Sequence, residues 1–523
     1  TELGKLGIKT VDQVDASNGY VSSVESRTIW VEVTADNFSM LFGPQAQWMV
    51  KGNGSSESWY WTGSLSLPTS LTGSGVSGLW FDTGKFGSEV ANPGNAVAAT
   101  NLPQGWQSPG NASTQPAHLF PQQIGQDIYN MPLGSNVATG TIGLIEPGIG
   151  NALPSEPYGA SFQHMLDNYR SAAGVPTGAT VTSVSNGGQQ YVTASAGERS
   201  LDVAIAATVA PQSPLALYVG SGTAAGATSN TYTAWQSAFW DTTNNPQTVS
   251  SSFGLTAQVA PNSPFHNAAS ELFTDAALRN ISVFNAAADA GSGNKFGNGL
   301  TNTTTSRSSP YAVMVGGTAV STGNSAQSDP TLQSFVEKAV AGDAATIWQL
   351  ISGGLTKSPV GGLNGTSTFV EAIWNRHYLD GTDFKNAGGS GYLSNNTGAG
   401  GVDPSQPTPW YQTSYGLTPT TSDPGHLPGR GIPDVSANAG GNMLWRVPPG
   451  DMIGLQGDDG TSAATPFWAA LTAQFNAIFQ DQGLPQLGFM NDLLYNASAI
   501  KAASFNDITL GNNTSSFTVG GTY

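Results

Sequence analysis

The 523-residue chain contains no cysteine, so it can form neither a disulfide framework nor a thiolate metal site. Charge is scarce too: 10% of residues are Asp, Glu, Lys or Arg, against about 25% in ordinary soluble domains. Basic residues are fewest, with Lys+Arg 17 against Asp+Glu 34 and a formal charge of −17 at pH 7. No basic stripe is present, which argues against a nucleic-acid or anionic-membrane partner. No run of about 18 apolar residues marks a membrane span. Histidine is limited to His118, His164, His266, His377 and His426. With a sequence pI of about 4.5 the negative charge largely vanishes in mild acid, and few cations are there to repel one another. Such a chain suits an acidic workplace, although an ordinary acidic secreted protein has the same balance.

What the chain does have, at Gly460-Thr461-Ser462-Ala463-Ala464-Thr465-Pro466, is a serine placed between a glycine and a proline. The apolar residues Phe467, Trp468, Leu471, Phe475, Ile478 and Phe479 recur at helical spacing up to a stop at Gly483, which puts Ser462 at a helix N-terminus. Unsatisfied backbone N–H groups and the positive end of the helix dipole favour a serine alkoxide and an oxyanion there. Thr461 or Ser462 acting only as a helix cap is the alternative.

A nucleophilic serine needs a base. Residues 197–209 read as an alanine-rich helix ended near Pro211, ahead of a strand from Leu215 to Val219. On that helix Glu198 and Asp202 are four apart and project from one face. Carboxyl groups so paired in a closed site split their pKa values, and one can accept a proton from serine. Two solvated acids near a helix N-terminus would satisfy the same spacing. A third acid, Asp289, lies past the end of a buried strand and before a glycine, at the edge where open α/β sheets gather ligands. Ordinary turn chemistry explains an Asp close before Gly equally well.

The Gly-Thr-Ser…Pro pattern resembles the nucleophile segment of subtilisin-like serine peptidases, yet no histidine stands in the His-Gly-Thr segment that subtilisins use. The order Glu198, Asp202, Asp289 and then Gly460-Thr461-Ser462 resembles the sedolisins, the serine-carboxyl peptidases. Ser309-Pro310-Tyr311 leading into Val315-Gly316-Gly317-Thr318, Gly429 to Ala437, and Asp507-Ile508-Thr509 extend the resemblance over residues 115 to 523. It implies a subtilisin-like α/β fold, a largely parallel sheet with helices on both faces. It also implies Ser462 as nucleophile, Glu198 as general base and later acid, Asp202 as the group that orients Glu198, and Asp289 as the oxyanion-side acid. Asp289 can donate a hydrogen bond only while protonated, whereas Glu198 must be able to take a proton, and both conditions are met in acid. The implied activity is an acid endopeptidase that hydrolyses protein and peptide substrates through an acyl-enzyme. Asp458-Asp459 depart from the small residues expected before Gly460, which bears on the pH range more than on the chemistry.

Residues 1–84 resemble the second part of a sedolisin propeptide, a small α+β domain whose first part is missing; within it Thr28 to Val33 alternates as a strand. The resemblance implies an autoprocessed zymogen inhibited by its own propeptide. Residues 85–117, rich in Gly, Asn, Pro, Gln and Ser, read as an exposed linker carrying the activation site, with residues 118–523 as the catalytic domain. Residues 385–430 read as long surface loops. Asp507 and the Ile508 carbonyl resemble the start of the sedolisin calcium site, which implies one Ca2+, although the chain ends at Tyr523 before the expected second carboxylate. Abundant Gly, Ser, Thr and Asn fit a secreted protein. Three rivals stay open: a tripeptidyl-peptidase of the same family, a subtilisin-like peptidase with a His base, and an inactive secreted structural or binding protein with the same fold.

Overall fold

Every side chain of Leu215-Ala216-Leu217-Tyr218-Val219 is buried, yet successive residues face different cores: Leu215, Leu217 and Val219 join one cluster, Ala216 and Tyr218 another. A strand covered on both faces sorts its side chains in this way, because they alternate with period 2. The computed structural model describes residues 2–14, 20, 22–52, 58–80, 116–147, 161–185, 196–220, 231–255, 262–289, 291, 303, 308–329, 332–352, 368–375, 392–394, 397–421, 425–500, 504–511, 513 and 516–518.

The N-terminal part contains α1 (Ala35–Phe42), with a reciprocal cap between Thr34 and Asn37, and an antiparallel hairpin of β1 (Gln47–Lys51) and β2 (Ser58–Thr62). Phe38, Leu41 and Phe42 close a small core with Ile8 and Leu71. The strand expected over Thr28 to Val33 does not form. Only isolated bridges occur there, Ser23 with Thr28 and Thr10 with Val31. Trp30 is drawn out of the small core and packs against Tyr20, Trp80 and Tyr232, which belong to or face the larger part of the molecule. Of the linker expected over residues 85–117, residues 85–115 lie outside the described residues, and Ala117 belongs to a strand paired with Met443.

Beyond it, β3 (Ala117–Leu119) is followed by β4 (Ile142–Ile145), α2 (Phe162–Ala173), β5 (Val181–Ser185), α3 (Ala196–Val209), β6 (Leu215–Gly220) and α4 (Thr231–Trp240). The alternation continues through β7 (Thr248–Ser251), α5 (Pro264–Leu278), β8 (Ser282–Ala286), β9 (Val313–Thr322), β10 (Thr368–Ile373) and β11 (Val435–Asn438). One eight-stranded sheet results, in the order β10-β9-β8-β7-β4-β6-β5 with β11 also paired to β9. Only β10 is antiparallel among the described pairings of this sheet. Later, β12 (Met443–Val447) pairs with β3 and with β13 (Gln456–Asp458), which leads into α6 (Thr461–Asp481). Helices α2, α3 and α6 cover one face through Leu166, Ile205 and Phe467, while α4 and α5 cover the other through Trp235 and Phe273. The expected α/β class, with helices on both faces of a largely parallel sheet, is therefore present. No described helix is long and apolar enough to cross a membrane.

The stretch from 397 to 421 is only in part the exposed loop suggested by its Gly and Pro content: residues 413–418 are exposed, whereas much of 397–412 is not. Thr397, Ala399, Asp403, Tyr411 and Gln412 are buried, and a helix, Trp410–Ser414, runs through it. Just beyond it lies a polar anchor: Arg430, wholly buried, donates to Asp434 Oδ2 at 2.6 Å and to the Ser309 and Ala312 carbonyls at 2.9 Å, and the neighbouring Gly431 exchanges two bonds with Gln412 of the stretch. Internal partners of this kind let irregular backbone leave water. Residues 385–391, 395–396 and 422–424 lie outside the described residues. Replacing Arg430 with Met would leave the Asp434 carboxylate buried without its cation, a loss of about 3–5 kcal/mol measurable by urea unfolding at neutral pH. A loss below about 1 kcal/mol would refute the anchoring role.

Candidate active site

Three neighbouring parallel strands end at one edge of the sheet. Glu146 follows β4, Ser252 follows β7, and Asp289 comes shortly after β8; β7 lies between the other two. The first turn of α6 reaches the same edge with Ser462, and α3 packs along α6 with Glu198 in its own first turn. Crossovers fix this convergence, because parallel strands bring their carboxyl ends to one side.

Gly460 precedes α6 with φ 118°, a conformation that residues with a Cβ rarely adopt. A Cβ there would stand 3.3 Å from Asp289 Oδ2 and 3.7 Å from Ser462 Cβ. Neither Thr461 nor Ser462 caps the helix, since the cap position belongs to Gly460. Thr461 is turned to another use: its N and Oγ1 both donate to Asp289 Oδ1, at 2.8 and 2.7 Å. The backbone N–H of Ala288 donates to the same Thr461 Oγ1 at 3.2 Å. Ala288 itself has φ 94°, strained for a residue with a side chain, and backbone strain of this sort gathers at working sites. With Oδ1 engaged by two donors, Oδ2 is the oxygen of Asp289 that faces Gly460 and Ser462.

The other side of Ser462 is acidic. Asp202 is wholly buried, and burial pushes its carboxyl well above the usual range; Glu146, Glu198 and Asp458 push it the same way as like charges, while a hydrogen bond from Ser252 opposes them. Ser252 Oγ lies 2.8 and 3.0 Å from the two Asp202 oxygens and 3.4 Å from the Ser462 carbonyl. Glu146 and Ser252 are members of this site that the sequence reading did not single out. For Glu146 a signal was there, an acid directly after the four apolar or small residues of a strand. Ser252 carried none, being one of three consecutive serines. Burial raises the Glu146 carboxyl from 4.5 to about 8, with Arg199 lowering it and Glu198 raising it. Arg199 is buried, its Nη2 3.1 Å from Asp451 Oδ1. No histidine is among the groups acting on Asp202.

The structure thus brings Ser462, Asp202 and Asp289 to one place through Ser252, which bridges Asp202 and the Ser462 carbonyl, and Thr461, which holds Asp289, with Glu198 one helical turn from Asp202. Asp507 and Ile508 lie elsewhere, in a segment tied to β10 by a bond from Ile373 N to the Leu510 carbonyl at 2.9 Å. Among the described residues no group of three or more His, Cys, Asp or Glu is placed to hold a metal.

A carboxyl whose folded pKa is raised contributes stability that is complete below its unfolded value and is lost as pH rises through the folded one. For Glu146 that window runs from 4.5 to about 8. The melting temperature is expected to fall across this range, and Glu146→Gln, which cannot ionise, to flatten the fall. Parallel curves for the two proteins in differential scanning calorimetry would contradict the assignment.

No family model matches the chain. It is 30% identical over 323 residues to kumamolisin of Bacillus sp. strain MN-32, covering 61% of this chain and 45% of that protein. It is 46% identical over 88 residues to physarolisin of Physarum polycephalum, which covers 16% of this chain and 14% of that one. A third relative, tripeptidyl-peptidase sed4 of Aspergillus fumigatus, is 26% identical over 348 residues, 62% of this chain and 47% of the relative. The chain therefore spans less than half the length of the curated relatives it matches. Among solved structures, a Pseudomonas sedolisin (serine-carboxyl proteinase) complexed with two molecules of pseudo-iodotyrostatin aligns with a TM-score of 0.53. That alignment has 20% identity and covers 76% of this chain and 90% of that one, a likeness of fold. In fold the chain is like this sedolisin, and in sequence it is similar, over about three fifths of its length, to kumamolisin and to tripeptidyl-peptidase sed4.

Proposed function

We propose that the chain is the precursor of a secreted, acid-active serine-carboxyl endopeptidase acting on proteins and peptides. The observation that carries this reading is the site itself: a serine at a helix mouth, with Asp289 bonded to the preceding residue on one side and buried acids reached through Ser252 on the other. Glu198, ionised, takes the proton from Ser462 Oγ as that oxygen attacks the peptide carbonyl carbon. Charge builds on the carbonyl oxygen. In acid, a protonated Asp289 donates to it from Oδ2, since Oδ1 is already engaged by Thr461. The C–N bond breaks as Glu198 returns the proton to the leaving amine. Water, deprotonated by the same carboxylate, then hydrolyses the acyl-enzyme. Asp202 orients Glu198 and sets its proton affinity.

Residues 1–84 are proposed as the propeptide part, 85–117 as the linker cut on activation, and 118–523 as the catalytic domain. Support for an inhibitory partner within the chain comes from Trp30 and Trp80, which pack on Tyr232 of α4, and from Arg27, which lies 2.7 Å from Asp275 of α5. Arg27 also approaches Glu271 at 3.5 Å.

The decisive test is a pH–rate profile on a denatured protein with a blocked N-terminus. Cleavage is expected below about pH 5, where carboxyl groups titrate. Ser462→Ala and Glu198→Ala are each expected to lose at least about a thousandfold in rate and to persist as uncut precursor. Cleavage surviving in Glu198→Ala would remove the carboxylate base, and failure on blocked substrates alone would favour a tripeptidyl mode.

Calcium is a separate proposal. The described residues offer the Asp507 carboxylate and the Ile508 carbonyl, short of the roughly 6–8 oxygens that Ca2+ takes, so further ligands would have to come from backbone carbonyls and from residues beyond those described. A hard cation there would tie the 504–511 segment to β10. Chelation with EGTA is expected to lower the melting temperature of the wild type and not of Asp507→Ala; equal melting with and without EGTA would refute it.

A further inference from the structure

Pro466 stands four residues after Ser462 inside α6. Having no N–H, it cannot make the helical bond to the Ser462 carbonyl, so the nucleophile's own backbone oxygen is left for another donor. Ser252 Oγ, 3.4 Å from it, is a buried hydroxyl that is also 2.8 and 3.0 Å from the oxygens of Asp202. A hydroxyl has a single hydrogen to give and lone pairs to accept with. Which way Ser252 points therefore depends on whether Asp202 is a donor or an acceptor.

We propose that Ser252 is a positioning residue that passes the protonation state of Asp202 to the nucleophile. With Asp202 protonated, its O–H donates to Ser252 Oγ, and the Ser252 hydroxyl donates to the Ser462 carbonyl, seating the first turn of α6. With Asp202 ionised, the Ser252 hydroxyl turns to the carboxylate and the Ser462 carbonyl loses its donor. No bond is made or broken beyond these hydrogen bonds.

The groups facing Asp202 favour the first state: Glu146 at the end of β4, Glu198 on α3 and Asp458 on β13 are all acids, and burial acts in the same direction. Arg199 works through Glu146, on which it is the opposing charge. The hydrogen bond from Ser252 stabilises the ionised form of Asp202, so its removal makes that carboxyl harder to ionise.

This inference rests on the peptidase reading, and one experiment separates the two. Full-length chain is processed in acid and assayed on denatured haemoglobin from pH 2 to 8, a range chosen to span carboxyl titration at about 4 and its raised values. Competent sites are counted by binding of a peptide aldehyde. A wild type without acid cleavage, or cleavage that survives Ser462→Ala, defeats the peptidase reading. Given an active wild type, Ser252→Ala is expected to lose on the order of tenfold in kcat per competent site with KM unchanged, and its alkaline limb to move to higher pH. Ser252→Thr, which keeps the hydroxyl, is expected to recover most of both. Wild-type kcat in Ser252→Ala, a lowered kcat with an unmoved limb, or Thr no better than Ala overturns the role. If the alanine chain does not fold, Ser252→Cys, similar in size and a weaker donor, decides by the same two readouts.

Discussion

Asp202 is shut away from water, and the groups that reach it, Glu146, Glu198 and Asp458, have the same sign of charge when ionised. Such a set is tolerable in an interior only if at least one proton stays bound, because an unpaired buried carboxylate costs several kcal/mol or more. Opposite charge is rationed. Arg199 acts on Glu146 and is itself paired with Asp451, which leaves Asp202 with a hydroxyl for its closest partner. Carboxyls held in this way keep their protons most readily in acid, and the scarcity of charge over the whole chain limits the repulsion that acid would otherwise bring to the rest of the fold.

The scaffold meets this constraint with devices that would be liabilities elsewhere. Gly460 removes a side chain where one would crowd Asp289, Ala288 accepts a strained backbone beside it, and Pro466 withdraws a helical donor behind Ser462. Each departs from good local structure within a few residues of Ser462 or of Asp289. The surrounding strands and α6 are wholly buried along much of their length, and their packing over-determines these positions.

Cations are few, and several of them are interior fittings rather than surface charge. Arg170, Arg199 and Arg430 are completely buried, with Asp167, Asp451 and Asp434 as partners. Arg430 fixes a strand next to a Gly- and Pro-rich stretch that reads as loop, and Gln412 ties that stretch to the strand through two bonds to Gly431. Trp30 does something similar in the N-terminal part, trading strand geometry for an aromatic contact with the larger part. In both places long-range contacts overrode local composition, which is why the residue pattern alone pointed to a different structure.

Local periodicity determined a great deal: the α/β class, the helices that begin near Ser462 and Glu198, the buried strands 215–220 and 282–286, and the presence of Asp289 just past a strand end. These follow from side chains recurring at 3.6 or 2 residues, a property of neighbours in the chain. Only the tertiary structure decided that Glu146 and Ser252 join the acid set, that Thr461 serves Asp289 rather than capping its helix, and that Thr397, Ala399, Asp403, Tyr411 and Gln412 are interior. Those outcomes depend on β7 lying between β4 and β8 and on α6 lying against α3, pairings between residues far apart in sequence. Strand order is settled by how two cores close on opposite faces of the sheet, and no window of neighbouring residues encodes it.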